Sequence, residues 1–594
     1  MSKLTQDSRM GSFQSALGKD KLVIGNFMGT EGLSELFEYR LTVFGEDRNV
    51  DFDKILGTNC NVSVGSNHEG IRRNFNGVLV DAQWSGAEDA LSSFQLTLRP
   101  WFWLLTQRTN CRIFSDLTVP QILKEVFDEH PFAEFDPRLE AKYDKLEYCV
   151  QYRESDFDFA SRLMEEFGIY YFFEHTEDKH TLVLVDSPSA HKPKLAGADL
   201  SYYPTDLRAL RQADSLNEWH LGRSFRSGKV SLNDYDYKRP TADLLADNEG
   251  NAKYANSKLE IYDYPGRYIK KSDGKFFAKI LLEAEQSKDW RANATGDAVT
   301  CSPGTLIKLS KHPESSANKE YLTIRANHNF QSNAYLARSA SPEESYSGSY
   351  EFQPSETPFR CLSVTPKPLI NGPQTAVVSS EVDDQCRLKV TFHWDRDKKQ
   401  SRYVRIAHAW SGSRWGDIKI PRIGMEVIVE FLEGDPDQPL ITGTVYNGDN
   451  EAPYPLPKDK SISGVKSQTI DGSGYNEFIL DDRNSEELIR LHAQRDMEAV
   501  IENDERREIK NDVTVKIGQN RDEKIGATWT VSATEKIEFT VGTSTFTMTP
   551  ASIIIKSTLI TLDASASLTL QSEGVGSLTA AAPLIINGAV VLIN

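Results

Sequence analysis

Long apolar runs are missing from this sequence. The N-terminal stretch MSKLTQDSRMGSFQSALGKDK has no apolar leader core, and no run of about 18 apolar residues follows. The expectation is a chain with no membrane span that is assembled in the cytoplasm. If it leaves the cell, it does so by a route other than Sec. Cysteine is sparse: Cys60, Cys111, Cys149, Cys301, Cys361 and Cys386 are scattered without CxxC spacing, which fits buried thiols in a cytosolic chain. Positive charge is in deficit. Lys and Arg number 68 against 86 Asp and Glu, a net charge of −18 that disfavours nucleic acid and anionic membranes as main partners.

Catalytic motifs are missing too. HEGIR at His68 lacks the second His of HExxH. There is no G-x-S-x-G elbow and no G-x-x-x-x-G-K-[ST] phosphate loop. Acidic pairs abound, but in an acidic chain they are mostly solvated, and no glycosidase dyad stands out. The last His is His492 and the last Cys is Cys386, so a His- or Cys-ligated metal is excluded from the region beyond. The reading is a non-enzyme with no catalytic residue, no metal ligand and no cofactor.

What is present is β pattern. The 594 residues suffice for about three or four domains, and 39% hydrophobic with 26% charged residues is an ordinary globular balance. FEYRLTVFGE, NCNVSVG, NGVLVDAQW and SSFQLTLRP alternate apolar and polar side chains and predict strands between residues 20 and 110. Val119, Ile122, Leu123, Val126 and Phe127 lie at helical spacing. Ser155 and Asp158 resemble a capping box for a second helix that buries Phe159, Leu163, Met164 and Phe167 and stops at Gly168. IYYFFEH restarts as a strand, and residues 180–355 read as short strands. A linker with five prolines runs from Pro354 to Pro373. CRLKVTFHW, YVRIAHAW, GMEVIVEFLEG and LITGTVYN then suit a small closed barrel, with Trp410 and Trp415 as its plugs. FLEGDPDQP is a tight acidic turn set by Gly434 and Pro436. EAPYPLPKDK is a second joint.

The C-terminal region has a different texture. Asn476 to Asp522 carries alternating charges and short β-branched runs. After Phe539 only Lys556, Asp563 and Glu573 are charged. Apolar residues recur at Met548, Ile555, Leu562, Leu570, Leu578 and Ile586, seven or eight apart. A strand of five or six residues is too short to close a single-chain solenoid. Three chains winding together form a prism with these six positions on its axis. Disordered Ser/Thr tracts lack such regular apolar residues. At about 4.8 Å per strand step, some 14 repeats extend roughly 70 Å.

Several blocks together resemble the VgrG family, the spike proteins of type VI secretion systems. They are YRESDFDFASRLMEEFGIYYFFEH (152–175), NDYDYKRP (233–240), YDYPGRY (262–268), TPKPLINGPQTAVV (365–378), WSGSRWGDIKIPRIGMEVIVEFLEGDPDQPLITGTVYN (410–447), GYNEFILDD (474–482) and HAQRDMEAVIENDERREI (492–509). The resemblance implies a mainly β homotrimer. Phage-hub-like barrels with inserted helices would occupy 1–365, an OB-fold barrel 366–455, and a triple-stranded β-helix needle 456–594. No room is left between barrel and needle for an enzyme domain. The resemblance also implies a PAAR-repeat tip protein or PAAR-bearing toxin at Val590, Val591, Leu592, Ile593 and Asn594. Hcp hexamers and baseplate would lie at the base, with an effector, alone or through an adaptor, as cargo. The spike would then be injected into a target cell. The alternative is the spike of a prophage tail or an extracellular contractile injection system.

Overall fold

Side-chain alternation in the first hundred residues yields the strands it predicts. The computed structural model describes residues 4–593 except 69, 89, 194–198, 207–212 and 336–342. Two compact units emerge: 1–466 with 479–489, and 467–478 with 490–594.

In the first unit a thirteen-stranded sheet starts at Gly11–Gln14. It passes through Asn59–Gly65, Arg72–Glu88, Leu91–Arg99, Glu38–Gly45 and Val23–Gly32 to Glu320–Ser332 and Glu344–Pro354. It continues through Trp290–Gly296 and Ser215–Arg223. Two apolar cores fill its curvature. The first holds Phe27, Tyr39, Phe75 and Phe94 with both predicted helices; the second holds Trp219, Tyr321 and Phe352. Strand Glu320–Ser332 serves both, giving Tyr321 to one and Phe330 to the other. A thirteen-residue strand is long enough to span two cores.

Helix Val119–Asp128 buries the five residues its spacing picks out. Its Thr118 and Gln121 exchange side-chain-to-backbone hydrogen bonds, a full capping box. Helix Asp156–Glu166 starts where Ser155 Oγ accepts from the Asp158 amide at 2.9 Å. Gly168 has φ +71°, so the stop favours glycine for its conformation, and a Cβ there would press on the Ile280 side chain at 3.0 Å. One expectation fails: residues 180–355 are not all strands, because Lys271–Gln286 is a helix. Its flank Lys270 gives no side-chain cap, so the usual start signal is absent. Burial of Ala278, Ile280, Leu282 and Ala284 holds it instead.

The proline-rich segment has no regular element between Pro354 and Gln374, yet it is pinned. Glu165 accepts from the Val364 and Thr365 amides and the Thr365 hydroxyl at 2.8–2.9 Å. Phe359 and Ile370 are buried. Lys367 Nζ lies 2.7 Å from Asp435 and 2.6 Å from Asp437. The acidic turn thus has a purpose the sequence did not show: it grips the linker. Its Glu433 and Gly434 both take positive φ. Burial pulls the Lys367 ammonium down, but the paired carboxylates hold its pKa above the ordinary value. Lys367→Met is expected to cost about 3 kcal/mol, because buried Asp435 and half-buried Asp437 lose their shared ammonium, with only Arg267 left 3.5 Å from Asp435. A lower midpoint for melting of the barrel in calorimetry checks this.

The barrel follows as six strands, Gln374–Val378, Arg387–Leu388, Val390–Phe392, Val404–Ile406, Glu426–Phe431 and Pro439–Val445. Ala376, Val390, Val404, Val427, Val429 and Ile441 fill it, joined by Ile113, Tyr148 and Val150 from the base. Trp410 and Trp415 do not plug it. They sit outside on a small hairpin, 65% and 57% exposed. Val390, Val404, Val427, Val429, Leu388 and Phe392 already fill the barrel, with Trp394 packed against them, so the indoles of the hairpin are left outside.

A charged network is buried in the base. Glu31 receives Arg73, His328 at 2.8 Å and the Tyr39 hydroxyl at 3.1 Å, with His175 at 4.0 Å. Burial pushes the Glu31 carboxyl up, but Arg73 and His328 outweigh it, and its pKa lies well below the usual carboxylate range.

Candidate functional site: the open-faced needle

The second unit buries almost nothing within one chain. Strands Ile537–Val541, Ser544–Thr549 and Ser552–Lys556 form an antiparallel meander. The pairing within this meander is internal to the chain. Gly542 at φ +56° permits the tight first turn, and a turn this short lets consecutive strands pair locally. Phe539, Phe546 and Ile555 lie opposite one another, as do Ile537, Met548 and Ile553. Because successive side chains alternate, these residues and Val541 share one face. The other face carries Glu538, Thr540, Thr545, Thr547, Ile554 and Lys556. The apolar face has no cover: Phe539, Val541, Ile553 and Ile555 are exposed and Met548 is half-buried.

On both sides of the meander the chain runs without strand partners of its own among the described residues, from 493 to 536 and from 557 to 593. Its apolar residues are nonetheless in strict order. Ile501, Ile509, Ile517 and Ile525 recur every eighth residue, and so do Leu562, Leu570, Leu578 and Ile586. All eight are exposed on the single chain. Such a row of aliphatic residues is left uncovered by its own chain.

Of the residues expected on the axis, the structure puts Met548 and Ile555 on the same face of the meander. Leu562, Leu570, Leu578 and Ile586 belong to the eight-residue series. The sequence reading missed Ile537, Phe539, Val541, Phe546 and Ile553, and the earlier series from Ile501 to Ile525. An exact eight-residue count would have found the second group; the first needs the hairpin register. Val590, Val591, Leu592 and Ile593 are exposed and irregular, and Asn594 lies outside the described residues.

The base offers little chemistry. The Cys60 thiol is pushed up to about 12 and Cys361 to about 11 by burial, the opposite of an activated nucleophile. His68, Asp214 and Asp297 place donor atoms within 4.8 Å of one another, the one such group among the described residues. The Asp297 carboxylate is already engaged by the Ser215 amide at 2.9 Å and the Asn67 amide group at 3.3 Å. No helix among the described residues is long and apolar enough to cross a membrane.

Comparison with known proteins follows the same three parts. Residues 30–334 match the phage tail baseplate hub (GPD) family, 374–446 the type VI secretion system/phage-baseplate injector OB domain, and 463–556 the bacteriophage T4 gp5 C-terminal trimerisation domain. Two Pseudomonas aeruginosa type VI secretion system spike proteins, VgrG1b and VgrG1a, are each 38% identical, over 86% and 84% of this chain and 70% and 79% of their own. An E. coli type VI secretion component with structural similarity to the T4 tail proteins gp27 and gp5 shares the fold. Its TM-score is 0.53 at 19% identity, over 73% of this chain and all of that one. The VgrG of a Francisella PdpA–VgrG complex gives 0.54 at 10% identity, over 79% of this chain and 76% of that one. With the order of hub, OB barrel and trimerisation segment matched to relatives at this identity, the chain belongs to the VgrG family of type VI secretion system spike proteins.

Proposed function

We propose that the chain works as a homotrimeric, non-enzymatic puncturing spike that carries cargo on a type VI secretion tube. The observation behind this reading is the needle's uncovered apolar face, inside a segment matched to a trimerisation domain. Three copies bring three such faces together on one axis, at Met548, Ile555, Leu562, Leu570, Leu578 and Ile586. The base, the barrel and the needle take residues 1–365, 366–455 and 456–594. Hcp hexamers and baseplate meet the base, and secretion follows the tube. Solved complexes of another VgrG with PdpA support the idea of a protein partner.

At Val590–Asn594 the proposed partner is a PAAR-repeat protein, free or leading a toxin. Exposed Val590, Val591, Leu592 and Ile593 would otherwise form an apolar, edge-exposing face. A partner that continues the strand pattern covers it. Deleting Val590–Asn594 is expected to leave a folded trimer with at least tenfold less PAAR protein in a pull-down from secreting cells. Wild-type recovery would move the docking face elsewhere.

A further inference from the structure

In the base, three segments far apart in sequence meet at one point. His68 lies on the turn between strands Asn59–Gly65 and Arg72–Glu88. Asp214 comes immediately before strand Ser215–Arg223, and Asp297 immediately after strand Trp290–Gly296. Those two strands pair antiparallel with Leu216 opposite Gly296, which sets the two aspartates side by side. The turn belongs to the part of the sheet around the first core, the aspartates to the part around the second. His68 has no second histidine near it in sequence, and the fold supplies partners from elsewhere. Its Nε2 and a carboxylate oxygen of each aspartate lie within 4.8 Å of one another. His68 Nε2 is 3.3 Å from Asp297 Oδ2, and it is buried yet makes no hydrogen bond.

We propose that His68, Asp214 and Asp297 hold one divalent transition-metal ion of the zinc type, as a structural clasp between the two halves of the base. A nitrogen and an oxygen bound to one tetrahedral zinc ion at about 2.0–2.2 Å lie about 3.4 Å apart, close to the spacing of His68 Nε2 and Asp297 Oδ2. The carboxylates are held in place by neighbours. The Ser215 amide donates to Asp297 Oδ1 at 2.9 Å, which leaves Oδ2 on the His68 side, with a long bond of 3.3 Å from the Asn67 side chain. The Ser66 hydroxyl donates to Asp214 Oδ1 at 2.5 Å and accepts from the His68 amide at 3.1 Å, so one serine ties the third ligand to the turn that carries the first. Outer hydrogen bonds of this kind orient metal-binding carboxylates, and a carboxylate has lone pairs enough for both duties. The Asp297 side chain is fully buried, so water competes poorly for it. An imidazole among the ligands favours zinc-type ions over Mg²⁺ and Ca²⁺, which take oxygen, and the lack of a thiolate disfavours Cu(I). Three protein ligands leave a fourth position for water. The ion gives His68 Nε2 a bond and fastens the 66–68 turn to the ends of two strands.

The test uses the full-length protein, stripped with EDTA and titrated with Zn²⁺ in a calorimeter. Asp297→Asn, which keeps an acceptor for the Ser215 amide, and His68→Gln should each weaken zinc binding at least tenfold. Zinc should raise the melting midpoint of the wild-type protein and of neither variant. Where a variant fails to fold, Co²⁺ loaded on the wild-type chain decides: X-ray absorption should show one imidazole nitrogen with oxygen ligands and no sulfur. A wild-type protein that binds no zinc overturns the proposal and leaves His68 and Asp297 as an ion pair only. Equal zinc affinity in the wild-type protein and both folded variants overturns it too, placing the ion elsewhere in the chain. So does a cobalt shell without imidazole.

Discussion

Ile555→Asp is expected to convert the full-length protein from trimers to single chains, whereas Ile554→Asp leaves it trimeric. The two residues are neighbours on strand Ser552–Lys556 and point to opposite faces. Ile555 lies opposite Phe546, on the face with Phe539 and Met548; Ile554 lies opposite Thr547, on the polar face. In the trimer, Ile555→Asp buries three like charges and loses three isoleucine contacts. Each uncompensated charge costs several kcal/mol, so the total is on the order of 10 kcal/mol per trimer. Every 1.4 kcal/mol is tenfold in an equilibrium constant, so micromolar protein dissociates. The Ile554→Asp side chain remains in water beside threonines and costs well under 1 kcal/mol. Sedimentation velocity separates the outcomes. Dissociation by Ile554→Asp but not Ile555→Asp would put the polar face on the axis and shift the register by one residue.

The second large effect is expected in the base. Arg73→Met removes the guanidinium that compensates buried Glu31, leaving the carboxylate with His328, His175 and Tyr39. Loss of one partner of a buried ion pair costs about 3–5 kcal/mol. The three charged side chains sit on strands Val23–Gly32, Arg72–Glu88 and Glu320–Ser332, the last of which serves both cores, so hydrogen exchange should accelerate along all three. Wild-type exchange rates in the variant would show that the histidines alone hold the charge. The pH dependence has a definite sign. Glu31 has a folded pKa below its unfolded value of about 4.3, so its stabilisation is complete above that value. It drains away as the pH falls toward the folded pKa. The base of the wild-type protein should therefore lose stability below about pH 4, and the Glu31→Gln variant should show a shallower acid slope.

The legibility of these features in the sequence follows their range. Two helices and most strands of the first hundred residues were legible because each signal is local: Ser155 with Asp158, Gly168, and apolar residues three and four apart. Helix Lys271–Gln286 was not, because it has no cap residue and is held by packing that comes from distant strands. Trp410 and Trp415 were misplaced for a related reason. Size and hydrophobicity say that an indole prefers burial, but not which surface buries it, and the barrel was already full.

By itself the sequence determined the class of the protein: mainly β, a barrel after a proline-rich joint, and a repetitive C-terminal region that is nearly uncharged after Phe539. Period and composition are properties of neighbouring residues, so they survive without coordinates. Only the tertiary structure decided which residues share a face. The hairpin register sets Ile555 with Phe546 and Ile537 with Met548, because pairing fixes the phase that a seven-or-eight spacing leaves open. It also decided that the acidic turn binds Lys367 and that Glu31 meets Arg73 and His328, side chains up to 297 residues apart. Such contacts depend on how the chain folds back on itself, and no local pattern encodes them.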